Sequence, residues 1–173
     1  MKKQWLIAGL LIALDQLVKI FIWNFALEKR LIFIPNVMRF EPFQNTNLNW
    51  FASMANIVMP IFFMVVFQLS AAIAVTLFYR YQRYTSEKTN LWLSLGFCMA
   101  LAGIGCSFLD VVLWGGSLDY IGLFDWYIFD MKDVFLNAGW ISILIWFNSK
   151  AYKSRKNESI SFKTWMSNGC KLS

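Results

Sequence analysis

Residues 129–148 read Phe-Asp-Met-Lys-Asp-Val-Phe-Leu-Asn-Ala-Gly-Trp-Ile-Ser-Ile-Leu-Ile-Trp-Phe-Asn, with Asp130, Lys132 and Asp133 crowded at one end. From Val134 to Asn148 no residue is charged, but that part is only 15 residues long. A helix rising 1.5 Å per residue needs about 20 residues to cross the hydrocarbon of a bilayer. A span built on this stretch therefore begins near Phe129, and length alone puts Asp133 about one turn inside the membrane boundary. A carboxylate at that depth costs at least a few kcal/mol, so it is paired, turned inward or kept for function.

Three more runs of the same kind lie upstream: 5–27, 57–79 with no charge in 23 residues, and 91–114, uncharged until Asp110. The 173-residue chain is 58% hydrophobic and only 15% charged, less charge than a soluble domain carries. The expected fold is an all-α polytopic membrane protein with four transmembrane helices and a small extracytoplasmic β segment between the first two. Residues 1–149 form one membrane domain on this reading, and 150–173 a loose basic cytoplasmic tail. The β segment is expected within 28–56. There Leu31-Ile32-Phe33-Ile34 is strand-like, Pro35-Asn36 is a turn signal, and Val37-Met38-Arg39-Phe40-Glu41 alternates. Asn45, Asn47 and Asn49 with Trp50 and Phe51 then suit the wet edge of a membrane.

Lysine and arginine set the orientation. Lys2, Lys3, Arg80, Arg83, Lys88 and six more after Asn148 fall on one side; Lys29, Arg30, Arg39 and Lys132 fall on the other. The positive-inside rule puts both termini in the cytoplasm and gathers Asp110, Asp119, Asp125, Asp130 and Asp133 at the outer face. Lys2-Lys3 before an apolar run also resembles a secretory leader, but no small-residue cleavage site follows, so 5–27 is expected to stay as the first helix. The net charge of +6 sits at the non-membrane ends, without an aromatic-interleaved basic stretch, so nucleic acid is not an expected partner.

Histidine is absent, which removes the Ser-His-Asp and Cys-His schemes and any imidazole ligand for zinc. Cys98, Cys106 and Cys170 show no metal-ligand spacing. No metal and no cofactor are expected. Chemistry must run on carboxylates, amides, hydroxyls or a lysine.

Asp15 and Lys19, four apart, share one helical face about 15 Å into the first span. They form a buried ion pair, or the floor of a polar cavity opening outward. Asp119 and Asp133 can converge, one from the outer connection after the third span and one from the start of the fourth. Two carboxyls sharing a proton can cut a peptide bond without a covalent intermediate, because like charges a few ångströms apart cannot both ionise. Other readings remain open here: Asp133 capping its helix or pairing with Lys132 while Asp119 sits in water, or Asp130 and Asp133 as the pair, with Asn137 a turn further on. Asp110 supports the site through hydrogen bonds. A Ser-Lys scheme with Lys19 as base lacks a serine facing it.

In order along the chain these segments resemble one family, the lipoprotein signal peptidases or type II signal peptidases. Asp15-Gln16-Leu17-Val18-Lys19 is similar to the family's D-Q-x-x-K. Phe33-Ile34-Pro35-Asn36-Val37 and Gln44-Asn45-Thr46 resemble its outer-sheet segment and the start of N-x-G-x-x-F. Asp110 and Gly116-Ser117-Leu118-Asp119-Tyr120 have the spacing of D-R…G-x-V-x-D-F, and Phe129-Asp130-Met131-Lys132-Asp133 stands where the family has F-N-x-A-D. The resemblance implies a membrane aspartic endopeptidase of the bacterial inner membrane, with Asp119 and Asp133 catalytic and Lys19, Asn45 and Asp110 lining or holding the site. The implied substrate is a prolipoprotein already carrying diacylglycerol, reached through membrane lipid, with the protein a monomer. The chain departs from the pattern at Asn47 and Trp50, at Cys106-Ser107-Phe108-Leu109-Asp110-Val111 where G-N-x-x-D-R stands in the family, and at Asp130 and Lys132 in F-N-x-A-D. These changes cluster around the expected dyad, so its electrostatics differ from the family's. An inactive lipoprotein-binding relative, or a small ion- or proton-handling membrane protein, would use the same acids without proteolysis.

Overall fold

The structure is a computed structural model that describes residues 1–46, 60–85, 90–124, 126–149 and 162–167. Asn47, Asn49, Trp50, Phe51 and Asp125 lie outside the described residues. The long helices are α1 (Lys2–Phe25), α2 (Ile61–Tyr84), α3 (Leu91–Leu109) and α4 (Met131–Asn148). Among the described residues, three helical stretches are long and apolar enough to cross a membrane: Lys2–Phe25, Ile61–Tyr84 and Leu91–Trp114. Leu10, Leu17 and Phe21 of α1 and Phe62, Phe67 and Ile73 of α2 stand exposed. Such apolar faces are a liability in water and are solvated by lipid.

The third helix is the hub. Leu93, Phe97, Leu101, Ala102 and Cys106 are buried, and α1, α2 and α4 each pack against it. It starts at Asn90, whose side chain accepts from the backbone of Trp92 at 2.9 Å and Leu93 at 3.4 Å, satisfying orphan donors of the first turn. Its contact with α4 is backbone-close: a Cβ on Gly139 would stand 2.8 Å from the Ala100 nitrogen. Small residues at a helix interface permit this approach, which maximises packing where lipid removes the hydrophobic drive to associate.

At Asp110 the helix loosens into a π segment, Asp110–Trp114, and Gly115 closes it in the left-handed region at φ 62°. That conformation is cheap for glycine and turns the chain out of the bundle. Strand β3 (Ser117–Leu123) follows, then β4 (Tyr127–Phe129), and these join β1 (Leu31–Ile34) and β2 (Met38–Asn45) in one antiparallel sheet of order β1-β2-β3-β4. The β structure is thus larger than the expected hairpin between the first two spans: half of it comes from the connection between α3 and α4. Phe43 pairs with Asp119 and Asn45 with Ser117 across the ladder. Ile22 and Ala26 from the end of α1 pack with Leu118 and Tyr120, which ties the sheet to the bundle.

Residues Phe162–Ser167 form a short helix, α5, whose Trp165 is fully buried with its ring 5.6 Å from Tyr81 and 6.4 Å from Tyr84 of α2.

Candidate active site

Three elements end at one place: the middle of α1, the π turn leading into β3, and the N-terminus of α4. α1 brings Asp15 and Lys19, both fully buried. They face the same way because one helical turn separates them, and the Lys19 ammonium lies 3.1 Å from Asp15 Oδ2. It also lies 2.7 Å from Asp110 Oδ2, 2.8 Å from Asp110 Oδ1 and 2.7 Å from Asp130 Oδ2. One buried cation therefore clasps three carboxyls from three elements. Gln16 extends the clasp: its amide donates to Asp15 Oδ2 at 3.1 Å and Asp110 Oδ1 at 3.2 Å, while its oxygen accepts from the Trp114 indole at 3.0 Å.

The start of α4 is built by a capping box. The Asp130 carboxylate accepts from the Asp133 backbone nitrogen, and the Asp133 carboxylate from that of Asp130, each at 3.3 Å. Both acids sit at the positive end of the helix, where the dipole favours negative charge. Asp119 reaches the same place from β3, only 6% exposed. One carboxylate oxygen each of Asp119, Asp130 and Asp133 lies within 4.8 Å of the others.

Lys132 fills the middle of this cluster. Its ammonium lies 2.7 Å from Asp130 Oδ2 and 3.2 Å from Asp119 Oδ1, and it donates to Ser117 Oγ. The Ser117 hydroxyl contacts Asp119 Oδ1 at 2.6 Å and Asp110 Oδ2 at 3.3 Å. The three-acid arrangement has the donor set for a hard cation, but positive charge is already supplied by Lys132 on two of the acids and Lys19 on one. In sum, five carboxyls meet two ammonium groups, a formal excess of three negative charges in a site shielded from water.

Two tyrosines frame the cluster from the sheet. Burial, then the negative charge of Asp130, pushes the Tyr120 phenol up from its ordinary value. Burial followed by the charges of Asp133 and Asp119 does the same to Tyr127, so both remain neutral hydrogen-bonding groups near neutral pH.

The fold thus gathers Asp15, Gln16, Lys19, Asp110, Asp119, Asp130 and Asp133. Asn45 lies beside them, opposite Ser117 in the ladder. Asn137 is not drawn in: it is exposed, and its amide donates to the Asp133 backbone carbonyl at 2.8 Å. Of the alternative readings, Asp133 does join the capping box whose N-cap is Asp130, the pairing of Asp133 with Lys132 does not form within 4 Å, and Asp119 is buried, not in water. Ser117 and Trp114 were not singled out from the sequence. Ser117 stands two residues before Asp119, hence on the same face of a strand, and that period was the available signal.

The family profile described as "Signal peptidase (SPase) II" matches residues 7–148. The lipoprotein signal peptidase of Enterococcus faecalis (strain ATCC 700802 / V583) is 30% identical over 158 residues, covering 88% of this chain and 93% of that protein. Two solved bacterial membrane enzyme structures share the fold at 22% identity. One has a TM-score of 0.70 over 93% of this chain and 94% of its own, the other 0.72 over 87% and 95%.

Proposed function

This chain belongs to the signal peptidase II family, and from that membership we propose that Asp119 and Asp133 are the carboxyl pair with which it works. It is a membrane aspartic peptidase that cleaves signal peptides from lipoproteins. Asp119 and Asp133 together activate a water molecule. The ionised acid takes a proton from water as the oxygen attacks the scissile carbonyl, and its protonated partner donates to the forming oxyanion. Collapse of the tetrahedral intermediate returns a proton to the second acid, while the leaving amine takes one from the first. The observation that carries this reading is the approach of one oxygen of each acid to within 4.8 Å, the span of a single bridging water.

The remaining residues hold that pair. Lys19, with Asp15, Gln16 and Asp110, ties α1 to the π turn and to Asp130, so the acids are carried on rigid elements. Asn45, opposite Ser117 on the neighbouring strand, lines the site on the β2 side. Asp130 acts through its cap rather than as the second catalytic acid: its carboxylate is engaged by Lys19, Lys132 and the Asp133 nitrogen.

The membrane frame is part of the same proposal. α4, 18 residues long, serves as a fourth span, the acids lie at the extracytoplasmic boundary of the cell membrane, and both termini are cytoplasmic. The substrate is a lipid-modified prolipoprotein that enters sideways from the outer leaflet and is cut by a monomer. The exposed apolar side chains of the π segment, Val112 and Leu113, suit a lipid-borne substrate.

Cleavage of a lipidated precursor by purified Asp119→Asn and Asp133→Asn tests the pair. Each is expected to lose on the order of 10² to 10⁴ of the rate while keeping its helical spectrum. Asparagine retains an acceptor oxygen for the cap, so loss of the helix start is not the cause. Normal cleavage by Asp133→Asn would overturn the assignment.

A further inference from the structure

The two acids of the proposed pair are electrically unequal. Lys132 and Asp133 are neighbours on a helix, so their side chains leave it about 100° apart. Lys132 swings toward the sheet, 3.2 Å from Asp119 Oδ1, 2.7 Å from Asp130 Oδ2 and 3.6 Å from Asp110 Oδ2, with its side chain 12% exposed. Asp133 turns the other way, onto the backbone nitrogen of Asp130. Among the described residues no lysine or arginine comes within 4 Å of the Asp133 carboxylate, and Lys132 alone does so for Asp119.

Among the described residues, charged and titratable groups come from every element packed around the pair, α3 bringing the buried Cys106 thiol beside Asp15. α1 brings Asp15 and Lys19, and the π turn brings Asp110. The sheet brings Asp119, Tyr120 and Tyr127, and α4 brings Asp130, Lys132 and Asp133. Lys19 spends its charge on Asp15, Asp110 and Asp130, not on Asp119.

We propose that Lys132 is a positioning residue that divides the labour of the dyad: it keeps negative charge on Asp119 and leaves the shared proton on Asp133. Asp119 is then the base toward water and Asp133 the acid toward the carbonyl oxygen. This rests on the assignment of Asp119 and Asp133 as the working pair. A contact between a lysine and a serine hydroxyl also resembles a Ser-Lys hydrolase. Here, however, three carboxylates around Lys132 hold it as an ammonium with no lone pair to offer, so Ser117 is a hydrogen-bond relay between Lys132 and Asp119.

The test is the pH dependence of kcat and KM for cleavage of a lipidated precursor by Lys132→Met, Lys132→Gln and Lys132→Arg, with Asp119→Asn and Asp133→Asn alongside. Removing a cation from among the acids favours their uncharged forms, so the acid limb of kcat should move to higher pH by about one unit or more in both neutral variants. KM should stay within about threefold, and Lys132→Arg should restore the native limb. Should Lys132→Met fail to fold, Lys132→Gln keeps a hydrogen-bond donor to Ser117 and Asp130 and gives the same reading. A native acid limb in a folded neutral variant overturns the role of Lys132 while the dyad stands, provided Asp133→Asn is dead. Native cleavage by Asp119→Asn or Asp133→Asn overturns the dyad itself.

Discussion

The Ser117 hydroxyl contacts Asp119 at 2.6 Å and also accepts from Lys132. If water is the nucleophile, this hydroxyl tunes the site but forms no bond to substrate. Ser117→Ala should slow cleavage by about tenfold, the worth of one charge-assisted hydrogen bond, and a serine-directed fluorophosphonate should leave the native enzyme unlabelled. Covalent capture at Ser117 would replace the two-acid scheme with an acyl-enzyme. At this scale the sequence was a good guide to the acids and to Lys19, and a poor one to Lys132. Asp15, Asp110 and Asp133 declare themselves because charge inside an apolar run is costly. Lys132 does not, because its four-carbon stem reaches across to β3 and adjacency to Asp133 suggests a pair that helix geometry forbids.

Between elements, α3 and α4 approach closely at Ala100 and Gly139, where a side chain would meet backbone, not a movable rotamer. Gly139→Val should therefore lower the melting temperature in detergent by about 5 °C or more. Gly9→Val on α1, with nothing within 4 Å of its Cβ position, should leave it near native. Equal melting temperatures for the two would deny this contact its weight. α1, α2 and α3 were legible from hydropathy because each holds an apolar run long enough to cross a bilayer, whereas α4, with 15 uncharged residues, was placed by the length a span needs. β3 was not legible. Ser117 through Tyr120 are buried on both faces, so the apolar-polar alternation that marks a half-exposed strand is missing, and Ser117 and Asp119 are polar for the sake of the site. The hairpin of β1 and β2 keeps a turn signal at Pro35-Asn36, and there the reading was possible.

For the molecule as a whole, the charge asymmetry of its connections makes a claim about sidedness. Alkaline phosphatase fused after Arg30 should be active, and fused after Thr85 inactive, by about tenfold or more; the reverse order would invert the topology. Lys19 carries a consequence for biogenesis. Its partner Asp110 lies 91 residues later in the chain, and Asp130 follows 20 residues after that. At about 5–20 residues per second, the ribosome needs on the order of 5–20 s to deliver the first of them. During that interval Asp15, one turn away, is the carboxylate at hand for the Lys19 ammonium. The i,i+4 pair thus acts as a chaperone in cis, keeping a nascent helix neutral enough to wait in lipid until its distant companions are made.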